Sequence, residues 1–538
     1  MFDTLILFLI YIISYLAISE YGNFFKFIFK FKTKENYTIN FFYGLLFIFF
    51  LSFCIRITVG YYDYINLVLL ILGLLLFLKN FKKKIKYLVI PASLFVGILI
   101  SKTHDDFTLY HYSYLNEFTQ NDLILGLGNI DPRYSYSSLF VYIQAIFKLP
   151  FYNLSFFHIP IFLTFSALIN YLFFKYFSCK EKFLKFFIFF TSILLLLKFK
   201  RLSEFGYDYV AQFLLIIIFV ELYENKKNLE ITTKALSLYL FSIFTKLTSV
   251  FFFPIVIYFL LKRKFDYNFK FLIIFFILLF VYLSHNLLTS GCLNYALTSS
   301  CFSSEYVTWA VSSNELKENL EMIKLWSKNF YHQIGPNRIE NSIFYLKDFI
   351  WFKHWFYRHF IEKIIESIIL IIFIYSFFYY FCKKKIKIEN QKEFIIIFFL
   401  LLISSLFWLL LLPQFRFGFF IIYLLIFFLL NLFAKRILIL SNKFYTYLIF
   451  VVILFFIVNN LIRINSEFKR QDEYKYKNFP WFQLVDRQFK SKVNGDLLYF
   501  VPTDKILSCY NIPSICSLKS IKIKSNNFLH RNIYIITN

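Results

Sequence analysis

Glycine and proline are scarce in this chain, 12 and 10 in 538 residues, which excludes collagen-like and low-complexity disordered classes, both rich in these residues. Acidic residues are few as well: 32 Asp and Glu stand against 58 Lys and Arg, a formal net charge of +26. Familiar catalytic signatures are also missing. There is no Walker A loop, no HExxH helix, no cysteine-rich zinc spacing and no GxSxG elbow, so nothing supports a soluble ATPase, metalloprotease or hydrolase fold. The first apolar run lacks a basic leading region and a small-residue cleavage site, and it reads as a retained helix rather than a cleaved signal.

What is abundant is apolar. Hydrophobic residues make up 59% of the chain, gathered in runs of about 17 to 22 nearly uncharged residues, each able to cross a ~30 Å hydrocarbon layer as a helix. The expected fold is an all-α polytopic membrane protein with about 14 transmembrane helices. The excess of Phe, Ile, Lys, Asn and Tyr resembles the bias of an A+T-rich genome, so single aromatic residues carry little information. Positive charge falls in short clusters between apolar runs, such as KNFKKKIK from Lys79 and KRKFDYNFK from Lys262. There it sets orientation in the bilayer, and nucleic acid is not an expected partner.

Placing the basic loops in the cytoplasm puts both termini outside. It also divides the chain into a transmembrane domain (1–464) with outer loops 102–154 and 289–358, and a small extracytoplasmic C-terminal segment (465–538) read as α/β. In that tail WFQLVDRQFK reads as helix, and DLLYFVP, LKSIKIKS and NIYIITN read as strands. Residues 134–147 must return to their own side, and an amphipathic helix lying in the interface fits them. Of seven cysteines, Cys292 and Cys301 share one outer loop, and Cys509 and Cys516 share the tail. Disulfides could form at both places; packing as small hydrophobes is the alternative.

Chemistry is best sought where polar residues interrupt this background, because lipid-facing helices need only be apolar. The first outer loop is the richest such place, with His104, Asp105, Asp106 and His111 together just after an apolar run. A carboxylate there could accept a proton from an incoming hydroxyl or hold a divalent cation, Mg or Mn, against a phosphate; a solvated helix cap is the plainer reading. Further on, GLGNIDPRY (126–134) marks tight turns, and Asn129 and Arg133 could meet a polar headgroup. Lys198, Lys200 and Arg201 end an apolar run on the outer face, ahead of Asp208, where a phosphate would account for them; snorkelling toward anionic lipid would too. Lys246 and Arg416 stand in two other outer turns.

These motifs resemble a known group. Asp106-Phe-Thr-Leu-Tyr-His111, GLGN at 126–129 and Arg133 to Ser138 are similar to the first-loop pattern of bacterial integral membrane proteins grouped with the GT-C glycosyltransferases. The likeness extends to Asp208, the Lys246-Leu-Thr-Ser segment, the SGCLNY to Trp309 stretch, the Arg416-Phe pair and a C-terminal two-cysteine segment. The group's acidic residue before the arginine is replaced here by Gln414 and Phe415, and a proline after Tyr295 is missing. The resemblance implies a GT-C-like transferase in the bacterial cytoplasmic membrane, with its active face outside. It would move a sugar from a polyprenyl-phosphate carrier to a glycan, lipid or protein acceptor. Asp106 would be general base or metal ligand with Asp105 and His104 as neighbours, while Lys246, Arg201 and Arg416 would neutralise the departing phosphate. The alternative is a lipid-linked polysaccharide polymerase or flippase. A polymerase would place its main polar loop late in the chain, and a transporter commonly shows internal repeats and mid-span charges that are not evident here.

Overall fold

The computed structural model describes residues 2–31, 36–79, 84–100, 106–120, 122–136, 138–150, 156–199, 202, 207–224, 229–262, 269–328, 345–347, 349–381, 385–388, 391–438, 440–469, 479–480, 488–494, 497–503, 509, 512–517, 521–528 and 531–537. Helices dominate, and one occupies every stretch read from the sequence as a span. Seven of them are both long and apolar enough to cross a bilayer: Phe2–Ile28, Tyr37–Thr58, Ile159–Ser178, Phe269–Ser290, Gln391–Leu411, Phe415–Ala434 and Asn442–Lys469. Asp63–Leu78, Ile85–Ile98 and Leu247–Lys262 are apolar but shorter. Among the described residues the structure therefore supports a helical protein of membrane type and does not reach the expected count of 14.

Burial explains the difference. Asp208–Glu224 is buried on every side from Val210 to Tyr223, so its apolar sequence serves the protein core and says nothing of contact with lipid. By contrast, only 28% of the apolar window of Gln391–Leu411 is buried, and Phe399, Leu406 and Leu410 are exposed along it. Glycine permits the closest helix approach. A Cβ on Gly22 would lie 1.8 Å from the Asn40 carbonyl oxygen, and one on Gly44 would lie 1.8 Å from that of Ile18, so the first two helices touch backbone to backbone.

Residues 138–147 differ from the expected interfacial helix. The short helix Val141–Ala145 is enclosed on all faces. Ser52 donates to the Tyr142 carbonyl, and the Tyr142 hydroxyl meets His285 Nδ1 at 3.1 Å. The segment is part of the core and has no lipid-facing side.

Among the described residues seven short strands accompany the helices. β2 (Lys385–Lys387) pairs antiparallel with β3 (Arg436–Leu438), joining two loops read as lying on one side of the membrane. β4 (Phe489–Asn494) and β5 (Leu497–Pro502) form a hairpin. β1 (Leu123–Leu125) of the first outer loop runs parallel to β7 (Arg531–Thr537), which pairs antiparallel with β6 (Lys522–Phe528). The sheet thus spans the proposed boundary at 464. The last helix runs on to Lys469, and the regular elements of the described tail beyond it are strands; Phe489 and Lys490, the end of the expected helix, belong to β4, and 481–487 lie outside the described residues.

Candidate functional site

The first outer loop is built against the tail. Gly126, at φ 76°, opens the GLGNIDPRY turn, a left-handed conformation that costs glycine least, and its N–H reaches the Leu288 carbonyl at 2.8 Å. Asn129 follows, fully buried, its amide donating to the carbonyls of Trp309 (2.9 Å) and Ile536 (2.8 Å). This corrects the sequence reading, since the side chain ties three segments together and is not placed to meet a headgroup. A second tie is Glu117, whose carboxylate accepts from Ser514 Oγ and from the Cys516 N–H at 2.9 Å. Cys509 and Cys516 are joined by a disulfide, as are Cys292 and Cys301.

This scaffold leaves a cavity of about 930 Å³. Asp106 lines it from the start of the first-loop helix, Asp131 and Arg133 from the turn, Lys246 from the end of Leu229–Thr245, and Arg416 from the start of Phe415–Ala434. Its remaining wall is largely apolar, including Val250, Phe251, Leu320, Ile323, Leu411 and Leu412. The helix Ser313–Ser327 contributes one face to it, from Asn319 to Trp326. That helix is capped by Ser312, which accepts from the Glu315 N–H, a standard way of satisfying a first-turn donor.

The charged groups form one connected set. Asp208 is the bracket: Oδ1 lies 2.7 Å from Lys246 Nζ, and Oδ2 lies 3.1 Å from Arg416 Nε. Arg416 NH1 then reaches Asp106 Oδ2 at 3.2 Å, and Nε also donates to Gln414 Oε1 at 3.0 Å. The neutral Gln414 thus stands beside the arginine where the resemblance led us to expect an acid. Arg416 also contributes to the cavity lining. The guanidinium also stacks over the Trp326 ring at 5.0 Å, and Lys246 stands over Phe417 at 4.7 Å. Burial beside aromatic faces makes such charges act over a lower local dielectric than water.

Arg133 is held differently, by a fork to Asp131 (Nε to Oδ1 at 2.9 Å) and by the Tyr110 ring beneath it. His111 packs edge-on against Tyr207 at 5.4 Å. Burial holds its imidazole down to about 4, with Asp106 and Asp208 opposing and Lys246 and Arg416 adding; it is neutral at physiological pH and supplies no charge to the cavity. Lys198 donates to Ser367 Oγ and lies over Phe415, away from the cavity wall. Asp105, His104, Lys200 and Arg201 lie outside the described residues.

The structure therefore brings Asp106, Arg133, Asp208, Lys246 and Arg416 together and leaves Asn129 and His111 as neighbours with structural partners. Asp131 and Trp326 escaped the sequence reading. The Asp-Pro turn signal concealed the first as a backbone device, and the aromatic background concealed the second. As for the expected divalent cation, no three His, Cys, Asp or Glu side chains among the described residues come together to hold one, and Asp106 is engaged by a guanidinium. Asp105 and His104, the expected neighbours of Asp106, lie outside the described residues, and no step below passes through a metal.

A mostly helical membrane protein with a charged cluster at one end of an apolar cavity is the class this fold and site define. The chain belongs to the family described as a domain of unknown function (DUF8201), whose model matches residues 4–423. No curated protein and no solved structure matches it.

Proposed function

We propose that this protein is a membrane glycosyltransferase that moves a sugar from a polyprenyl-phosphate carrier to a glycan, lipid or protein acceptor on the extracytoplasmic face of the bacterial cytoplasmic membrane. The observation that supports it is convergence. Asp106, Asp208, Lys246 and Arg416 come from four separate segments, yet they form one ion-paired set at a cavity whose other walls are largely apolar. An isoprenoid chain needs the apolar walls, and a phosphate needs the cations.

In the reaction, Asp106 takes the proton of the acceptor hydroxyl as its oxygen bonds to the anomeric carbon. The bond from that carbon to the phosphate oxygen breaks, and the polyprenyl phosphate leaves with the electron pair. Arg416 couples the two ends of the step, holding the base through Nη1 and bringing its positive charge to the phosphate. Lys246 adds a second positive charge where negative charge develops. Asp208 touches neither reactant and positions both cations.

Transfer from synthetic polyprenyl-phosphate sugars in proteoliposomes tests the reading. Asp106→Asn should lower transfer by about 10²- to 10⁴-fold with the protein still folded. Undiminished transfer by this variant would sink the mechanism. Movement of the lipid-linked sugar across the bilayer without transfer would identify a flippase, and elongation of lipid-linked repeats a polymerase.

A further inference from the structure

Thr245, Thr248 and Asn319 line the cavity, and each carries a buried polar atom without a hydrogen-bond partner among the described residues: the two Oγ1 hydroxyls and the Asn319 Nδ2 amide. Helical threonines here usually donate back one turn, as Thr164 does to Pro160 and Thr289 to His285. Thr245 ends its helix without that bond. Nearby, Ser242 Oγ lies within hydrogen-bond reach of Ser249 Oγ (2.8 Å) and of the Ala211 carbonyl (3.1 Å), so the hydroxyls next door are satisfied within the protein.

Burial in this turn is inverted. Leu247 and Val250 are 38% and 47% exposed, whereas Thr245 and Thr248 are 1% and 4% exposed. All four residues line the cavity, and the two hydroxyls are the more deeply set in a wall that valine would form at no polar cost. Buried donors and acceptors left unpaired are destabilising, so a group entering the cavity must complete them. Its chemistry follows from the wall. Hydroxyls donate and accept, an amide nitrogen donates, and none of the three carries charge, while Arg133, Lys246, Lys324 and Arg416 supply the positive charge of the same lining.

We propose that Thr245, Thr248 and Asn319 form a subsite for a neutral, polyhydroxylated ring, the sugar itself, beside the ion-paired cations. Asn319 comes from the Ser313–Ser327 helix, so the subsite is complete only with that helix over the cavity. The assignment rests on the lipid-phosphate-sugar reading for its place in a reaction, but its recognition chemistry needs no phosphate.

The full chain in lipid nanodiscs is titrated with two kinds of ligand pair, read by tryptophan fluorescence with Trp326 in the cavity wall. The first compares nonyl glycosides of glucose, mannose and arabinose with 1-nonanol; the second compares farnesyl phosphoryl sugars with farnesyl phosphate. The wild type should prefer at least one sugar-bearing member by about tenfold. Thr245→Val, Thr248→Val and Asn319→Leu should each reduce that preference about threefold to tenfold without changing affinity for the sugar-free member, and Thr248→Ser should restore it. Arg416→Gln should weaken both farnesyl ligands alike and leave the glycoside preference intact. Absence of any preference among the nonyl glycosides overturns the subsite. So does equal weakening of both members of a pair by the valine variants, which would mark a structural role. If the glycosides behave as expected while neither farnesyl ligand binds, the subsite stands and the lipid-phosphate reading falls.

Discussion

Arg416 divides its guanidinium among Asp106, Asp208 and Gln414 while lining the cavity. That division needs a planar fork, which lysine cannot reproduce. Arg416→Lys should therefore keep the charge yet lower kcat by about 10²-fold, the scale of losing one transition-state donor, in the proteoliposome transfer assay. Asp208→Asn should remove the common anchor of Lys246 and Arg416. Because Asp208 acts through them, its loss should raise KM for the phosphate-bearing donor while leaving the acceptor KM unchanged; an unchanged donor KM would count against the bracket role. At this scale the sequence was partly legible. Asp106, Lys246 and Arg416 stood out as charges in an apolar chain, whereas Thr245, Thr248 and Asn319 did not, because a hydroxyl or amide becomes informative only once its missing partner is known.

Elements show a similar split. The helices were legible from hydropathy alone, since an apolar run must be buried in either lipid or protein. Which of the two it meets was not, and the fully enclosed Asp208–Glu224 helix carries the same signal as a lipid-facing one. The pairing of β1 with β7 was also hidden, because register between distant segments leaves no local pattern. This junction contains the most testable titration in the molecule. Burial pushes the Glu117 carboxyl up to about 7, against the pull of its bonds from Ser514 and the Cys516 N–H. A carboxyl raised in the folded state holds a proton that the undocked state releases, so docking is fully favoured below pH 4.5 and weakens as pH rises to about 7. Protection of the amides in residues 512–517, measured against their intrinsic base-catalysed exchange, should fall over that window, and Glu117→Gln should abolish that fall. Protection that stays constant with pH in the wild type would refute the assignment.

For the whole molecule, the tightest constraint is the contact of the first two helices at Gly22 and Gly44. Both would-be Cβ atoms meet backbone oxygen, which cannot rotate away, so relief would require the helices to separate. Gly22→Val should cost several kcal/mol, of order 3 or more, seen as a lower midpoint in thermal scans of detergent-solubilised protein, and Gly44→Val should do the same. An unchanged midpoint for either would mean that the helices are not packed this closely.

The β1–β7 pairing also bears on how the protein is made. Leu123 finds its partner Ile533 about 400 residues later, and at a synthesis rate of about 5–20 residues per second the first loop waits tens of seconds for it. During that interval the Asn129 amide lacks the Ile536 carbonyl that it later binds. The loop bearing Asp106 can settle only after the distal strand emerges, so a ribosome that stalls early leaves an inserted chain whose cavity is unfinished.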